Sequence, residues 1–380
     1  SLALSFYLKG GLSTYKPQDI SNTCWAFASL GILHRSFFGA VSTEVQERLQ
    51  PKSKDSVELS KFKAQEIANL VWSFATLNSS ADGLMEHLTP YILTMCRDAK
   101  GNYDEHSIAK FFKRQEALSV AWSCVVLEQY PPQLMPLLYT ALFGSNNDTD
   151  SIKSIHGDNG LPKQGVMALF YVQMAMDMEV PQLGMSLPLN FPDGWVVGDH
   201  APKALSTEEK EGGRSMLELT TSRLQQDVSR TLERVGFSHV LEHVITTDEL
   251  ESSHNIRLSP EKVEFLSIDI ANLNDLVGIE VDGPGHFVNV LDCATDNDGE
   301  KERYFPSGKK LSGKGAKMEW QLSNSRRLVN GPTALKHRLL CQLGWQIVHL
   351  PFWEWRNLSD QENEESYCRE LLEGTTIEGQ

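Results

Sequence analysis

The chain has 380 residues, 41% of them hydrophobic and 22% charged, with a formal net charge of −15. That length exceeds what one hydrophobic core supports and describes a soluble chain of two or three domains, not a small disulfide scaffold. No apolar run approaches the roughly eighteen residues that span a bilayer, which excludes a transmembrane helix, and the acidic average speaks against phosphate binding by the chain as a whole.

Three segments near the start align with one another: KPQDISNTCWAFASL from Lys16, KAQEIANLVWSFATL from Lys63 and KRQEALSVAWSCVVL from Lys113. Each has Lys, one residue, Gln and an acid, followed at a fixed offset by Trp25, Trp72 or Trp122. In the middle copy Ile67, Leu70, Val71, Phe74 and Leu77 recur at helical spacing, an apolar stripe that a strand cannot present. A second amphipathic run follows, such as GLMEHLTPYILTMC or PQLMPLLYTALF, so the repeating unit is a helix pair. A pair buries its apolar face only by stacking on neighbours, which predicts an α-helical repeat solenoid over 1–143. Its concave side offers a row of equivalent positions to an extended ligand, either a peptide or single-stranded RNA. A tryptophan at the same place in every copy reads as inter-repeat packing, with base stacking as the alternative. The Gln and acid favour the helix N-terminus. Six cysteines without metal-ligand spacing argue for reduced thiols in an intracellular compartment and against structural zinc.

Residues 144–214 read as a connector holding one capping helix, VMALFYVQMAMDM. From 215 the order becomes α/β. A helix through LELTTSRLQQDVSRTLERVG stops at Gly236, strands follow at 239–245, 263–270 and 277–282, then a helix, TALKHRLLCQL, ends at Gly344 before the strand WQIVHLPFW. Within FLSIDIANLNDLVGIEVDGPGHF, Asp269 lies on one strand, and Glu280 and Asp282, two apart on the next, share a face. Carboxylates embedded in apolar strands are costly unless paired, metal-bound or placed at an edge. The functional reading is a divalent metal site, with Asp269 and Glu280 as ligands of Mg2+ and Asp282 and His286 beside them, suited to hydrolysing a phosphodiester. The plainer alternative has Asp282 opening the Gly-Pro-Gly turn and Glu280 paired with a nearby cation.

Between 301 and 338, ten basic residues face two acidic ones, a belt of +8 in a chain that is −23 elsewhere. Lys309, Lys310, Lys314 and Lys317 among glycines and serines, with Tyr304 and Trp320, suit an arm that tracks phosphates while rings stack on bases. Arg326, Arg327, Lys336 and Arg338 extend the same RNA-binding set. A solvated loop is the plainer alternative. An acidic C-terminal tail, 359–380, carries seven acidic residues against Arg369.

IEVDGPGHF, followed after an insertion by NGPTALKHRLLCQLGWQIVHLPFWEW, closely resembles the RAP domain (RNA-binding domain abundant in apicomplexans), expected over 215–358. The copies of the form QEIANLVWSFATL resemble the octotricopeptide-like helical repeats that usually precede it. The resemblance implies an organellar RNA-binding protein, mitochondrial or alternatively of a plastid, acting in RNA processing, stability, translation or mitoribosome assembly. Its implied partners are single-stranded or ribosomal RNA and organellar ribosome proteins, with no membrane. The implied fold of the domain is restriction-endonuclease-like, of the PD-(D/E)XK type. There the helix acid falls near Asp227, the strand aspartate on Asp269 and the glutamate of the E-x-K element on Glu280. Where that element requires a lysine this chain has Asp282, so the ammonium that would activate the attacking water is missing. Two alternatives stay open, a metal-dependent endoribonuclease using these carboxylates and a structural subunit of an organellar ribosome. The sequence opens on Ser1, not a methionine, leaving any upstream address unreadable.

Overall fold

The computed structural model describes residues 11–49, 62–79, 83–97, 105–143, 161–187, 214–215, 221–246, 249–250, 263–264, 266–291 and 326–373. Its N-terminal part is helical, running α1 (Pro17–Ser29), α2 (Arg35–Leu49), α3 (Ala64–Thr76), α4 (Leu84–Met95), α5 (Glu105–Phe111), α6 (Arg114–Val126), α7 (Leu134–Phe143) and α8 (Lys163–Glu179). The aligned lysines are the N-caps of α1, α3 and α6. The acid three residues on, Asp19, Glu66 or Glu116, accepts the backbone N–H of its lysine at 3.1, 2.8 and 2.8 Å. The repeated acid thus satisfies a donor that each helix start would otherwise leave open.

The first helices form one row, α1 packing on α3, α3 on α6 and α6 on α8, while α2 packs on α4 and α5 on α7 in a second row. Phe38, Phe74, Phe112 and Phe170 are fully buried between them, Phe38 meeting Phe74 edge to face at 5.0 Å. Trp72 and Trp122 pack only in part against this core, and Trp25 is 49% exposed.

The C-terminal part is a mixed α/β unit in which the expected helix, three strands, helix and strand recur in that order, with short strands and two C-terminal helices that the sequence did not announce. Helix α9 (Arg223–Arg234) is capped by the Ser222 hydroxyl and stopped by Gly236 at φ 86°. Strands β3 (Val240–Ile245), β5 (Leu266–Asn272), β6 (Val277–Asp282) and β9 (Gln346–Pro351) form a sheet in the order 3-5-6-9, antiparallel except for β6 and β9. A parallel pair needs a crossover, which α10 (Gly331–Gln342) supplies before Gly344 ends it at φ 88°. Helices α11 (Phe352–Arg356) and α12 (Gln361–Glu373) complete the domain. The stretch expected as an acidic tail is therefore folded as far as Glu373. Its Cys368 joins Val228 and Leu232 of α9 under one face of the sheet, and Arg234 reaches Glu364 and Glu365 at 3.4 and 3.2 Å.

The other face of the sheet packs on α10 and the helical rows, and one apolar core runs from Phe74 and Val125 through Leu335 and Leu339 to Ile268 and Ile347. Strand β1 (Ile32–Leu33), between α1 and α2, pairs in parallel with β7 (Phe287–Val290), which pairs in turn with β8 (Arg326–Val329). Two short strands, β2 (Arg214–Ser215) and β4 (Val263–Glu264), pair with each other.

The N-terminus of α10 stands against the C-terminal ends of α3 and α6, so opposite ends of helix dipoles meet. The approach is close enough that a Cβ at Gly331 would lie 1.9 Å from the Ala75 carbonyl oxygen and 2.7 Å from Val126 Cγ1. Two turns further on, Arg338 donates to Glu179 at 2.7 Å and to the Val125 carbonyl at 2.7 Å, with Glu128 at 3.3 Å. Tyr130 donates to the same Glu179 carboxylate. No helix among the described residues is long and apolar enough to cross a membrane.

Gly331→Ala forces backbone apart at this junction and is expected to lower stability by about 1–3 kcal/mol, the usual range for overpacking. Chemical denaturation followed by tryptophan fluorescence measures it, and an unchanged midpoint would show that the two parts do not meet at Ala75.

Candidate functional site

The carboxylates singled out in the sequence lie where the sheet faces α10. In the β6–β9 ladder Glu280 stands opposite His349 and Asp282 opposite Pro351. Asp269 of β5 accepts the Val281 N–H through Oδ2 at 2.8 Å, so its carboxylate takes a ladder position just beyond the last β5–β6 pair, Ile270 with Ile279. Glu280 and Asp282 are 3% and 1% exposed. Charge at that depth demands a partner.

Lys336 of α10 supplies one, its Nζ donating to Glu280 Oε2 at 2.6 Å. Burial raises the pKa of Glu280, and Asp269 adds to that while Lys336 opposes it. Burial likewise works against the Lys336 charge, but Glu280 and Asp269 outweigh it and hold the ammonium above the ordinary lysine value. Tyr171 of α8 lies within electrostatic reach of both Lys336 and Glu280. The ammonium that the strand lacks at position 282 therefore arrives from a helix 56 residues along the chain from Glu280. Of the two sequence-based alternatives for Glu280, the geometry gives the cation pair.

Asp282 sits between two imidazoles, with His349 Nδ1 at 2.6 Å from Oδ2 and His286 Nδ1 at 3.0 Å from Oδ1. From His349 the chain continues to His337 at 3.0 Å and to the Cys341 sulfur at 3.5 Å. Burial, reinforced by its neighbour His349, pushes His337 down to about 4, so that ring is neutral near pH 7. Burial would raise Asp282, yet hydrogen bonding and charge from both histidines leave its carboxyl below the ordinary aspartate value. The contact with Asp282 raises His286 despite the ring's burial, and the imidazole remains partly open to solvent. Thr333 Oγ1 at 3.2 Å completes its surroundings.

A divalent ion does not fit this arrangement. Among the described residues no three His, Cys, Asp or Glu side chains converge to hold a metal, and the Lys336 ammonium already neutralises Glu280. Glu280 Oε1 is a buried acceptor without a hydrogen bond among the described residues, while Asp282 Oδ1 faces the His286 ring at 3.0 Å, so the two carboxylates turn to different partners. Asp227 is placed elsewhere, exposed on α9 and paired with Arg230 at 2.9 Å.

The sequence-derived RNA-binding cations divide into three groups. Lys309, Lys310, Lys314, Lys317, Tyr304 and Trp320 lie outside the described residues, and of Arg326 only the backbone in β8 is described. Lys336 and Arg338 point inward, to Glu280 and to Glu179. Arg327 is exposed, its guanidinium 4.9 Å from the Trp353 ring centre and 5.5 Å from that of Phe352. Arg356 lies 5.2 Å over the other partner, Phe352, and Phe287 meets Trp353 edge to face at 4.4 Å. This platform of half-buried rings flanked by exposed guanidinium groups stands beside His286, because Phe287 follows it in the chain and α11 starts where β9 ends opposite Asp282. Phe352, Trp353 and Arg356 were missed in the sequence reading, although the run PFWEWR directly after an apolar strand carries that signal.

A family model described as RAP domain matches residues 279–371, which contain Glu280, Asp282, His286, Lys336 and the aromatic platform. The chain carries a RAP domain there, extending through most of α12.

The dyad makes a titration prediction. The raised His286 stabilises the fold below its unfolded value of about 6.5 and loses that contribution as pH rises through its folded value; Asp282 contributes above about 3.9 and fails as pH falls through its depressed value. In an NMR titration Asp282→Asn is expected to bring the His286 midpoint down, and a midpoint indifferent to that change would disprove the pairing.

Proposed function

We propose, from a RAP domain that carries an arginine-flanked aromatic platform, that the protein binds single-stranded RNA. One observation carries the reading: Arg327 and Arg356 beside Phe352 and Trp353, with the Phe287 ring against Trp353, on the surface of the matched domain. Rings with one face available stack on any base, and guanidinium groups alongside them hold phosphates. The overall charge of −15 makes such binding local.

The same reading takes the stacked helix pairs as an octotricopeptide-like solenoid and the C-terminal sheet as a restriction-endonuclease-like core that has kept RNA binding. The resemblance stated above supports a place in an organelle, a mitochondrion or a plastid, and work in RNA processing, stability, translation or mitoribosome assembly. Its partners would be single-stranded or ribosomal RNA and ribosome proteins. Crosslinking in cells with sequencing of the bound RNA tests target and compartment together; reads drawn only from cytosolic transcripts would remove the organellar part.

In purified form the full chain is expected to bind single-stranded oligonucleotides, and Trp353→Ala to weaken binding by about 1–3 kcal/mol, the worth of one base stack. Arg327→Ala should in addition shallow the slope of log K against log salt by about 0.7. Affinities untouched by either change, measured by fluorescence anisotropy across a salt series, would place the RNA elsewhere.

A further inference from the structure

His286 is pinned from several sides, yet one of its ring nitrogens has nothing to do. It closes the short turn Pro284–His286, where its N–H donates to the Gly283 carbonyl at 3.1 Å. Asn330, the N-cap of α10, grips the same turn twice. Its backbone N–H donates to the His286 carbonyl at 3.0 Å and its Nδ2 to the Gly285 carbonyl at 2.7 Å. The ring is fixed through Nδ1, by Asp282 at 3.0 Å and Thr333 at 3.2 Å. A carboxylate only accepts, which assigns the proton of the neutral ring to Nδ1. Nε2 is left without a partner among the described residues, on a side chain that is 42% exposed.

The rest of the network decides which ring can take up a second proton. His349 is 4% exposed and has both nitrogens engaged, Nδ1 with Asp282 at 2.6 Å and Nε2 with His337 at 3.0 Å. Burial keeps His337 uncharged near pH 7. An added proton on either ring would be a charge in the interior, which is costly. On His286 it lies partly in water and against a carboxylate, so this is the ring on which the network changes its charge. Asp282 and Glu280 of β6 favour that proton, and Lys336 of α10 opposes it. The change takes place at the edge of the aromatic platform. Phe287 is the next residue, its ring meets Trp353 at 4.4 Å, and the Arg327 guanidinium lies 4.9 Å from the same Trp353 ring.

We propose that His286 Nε2 is a phosphodiester-binding site of the platform, engaged only when the ring carries a proton, so that the phosphate next to a stacked base is held by an imidazolium that Asp282 positions. The inference rests on the RNA-binding reading above and adds to it a residue and a dependence on pH. A protonated ring presents an N–H and a positive charge at Nε2, and such charge-assisted bonds are the strong ones. The neutral ring presents a lone pair there, which a phosphate oxygen avoids. Arginine stays charged throughout this range and stacking is indifferent to protons, so the histidine is the part of the platform that responds. A bound phosphate in turn favours the charged ring. Affinity is therefore highest below the folded titration point of His286 and falls as pH rises through it.

The test uses the full chain and a fluorescein-labelled oligouridylate, in anisotropy titrations across a salt series at about pH 6 and about pH 8, on either side of the histidine range. Affinity is expected to be about tenfold higher at the lower pH, the effect of binding that moves the ring's titration up by about one pH unit. The slope of log K against log salt should be steeper there by about 0.7, the mark of one more phosphate contact. His286→Gln is expected to remove both differences. His286→Lys, which keeps a cation at both pH values, should give the steeper slope at both. The unsubstituted chain supplies a reading that needs no variant: in an NMR titration the oligonucleotide is expected to raise the His286 midpoint, and inorganic phosphate at equal ionic strength is not. An affinity equal at the two pH values, a difference that survives His286→Gln, or a midpoint that the oligonucleotide does not move overturns the site. A midpoint moved as far by phosphate alone assigns the ring to free anions and overturns the strand contact. A chain that binds no oligonucleotide at either pH and low salt overturns the RNA reading itself. Binding that Trp353→Ala weakens but pH leaves alone keeps that reading and overturns only this inference.

Discussion

Helix α10 is the part on which both halves of the molecule depend, and two cations two residues apart on it set its position. Lys336 reaches the sheet at Glu280, while Arg338 reaches the helical rows at Glu179 and the Val125 carbonyl. Residues two apart on a helix do not face each other, so the helix can be held from two sides at once. Neither cation is fully buried, but each carboxylate it meets is almost wholly so. Removing one member of such a pair leaves an uncompensated charge, a cost of several kcal/mol. The pairs therefore fix register more than they add net stability. A helix displaced by one turn would strand both acids.

The charged centre follows from that placement. Glu280 and Asp282 could both face inward because each has its own polar partners, the Lys336 ammonium for one and the rings of His286 and His349 for the other. Without Lys336, Glu280 beside Asp269 would be a like-charge pair in a low dielectric, the situation that calls for a metal ion. An internal cation meets the same electrostatic need. The module therefore keeps its carboxylates on the sheet face while the described residues provide no metal cage.

Most of the fold was legible in the sequence. The three aligned lysine starts, the glycines at 236 and 344 and the apolar strands at 277–282 and 346–351 fall where periodicity and capping chemistry put them. These are local signals, and local signals survive in a sequence. What was illegible is non-local. Nothing in GPTALKHRLL says that its lysine will meet a glutamate 56 residues earlier, nor that its arginine will meet a glutamate 159 residues earlier. Counting both as free basic residues followed from reading charge without burial. The acidic stretch after Ser359 misled for a related reason, since six of its acids precede Gly374 on a segment whose buried contribution rests on few residues, Cys368 above all. The aromatic run PFWEWR was overlooked because a nearby segment held more positive charge.

The tryptophans show why a conserved spacing within one chain need not have a single cause. Packing requires Ile20, Ile67 and Ala117 on the core side of the first helices, and the repeat would stand with any polar residues opposite them. Three glutamines at one exposed position, with amides or a hydroxyl one turn on and a ring that only partly enters the core, go beyond what packing asks. The junction adds a second requirement. Gly331 against Ala75 and Arg338 on Val125 lock the last turns of α3 and α6 to the RAP domain, so the row and the aromatic platform are held in one frame.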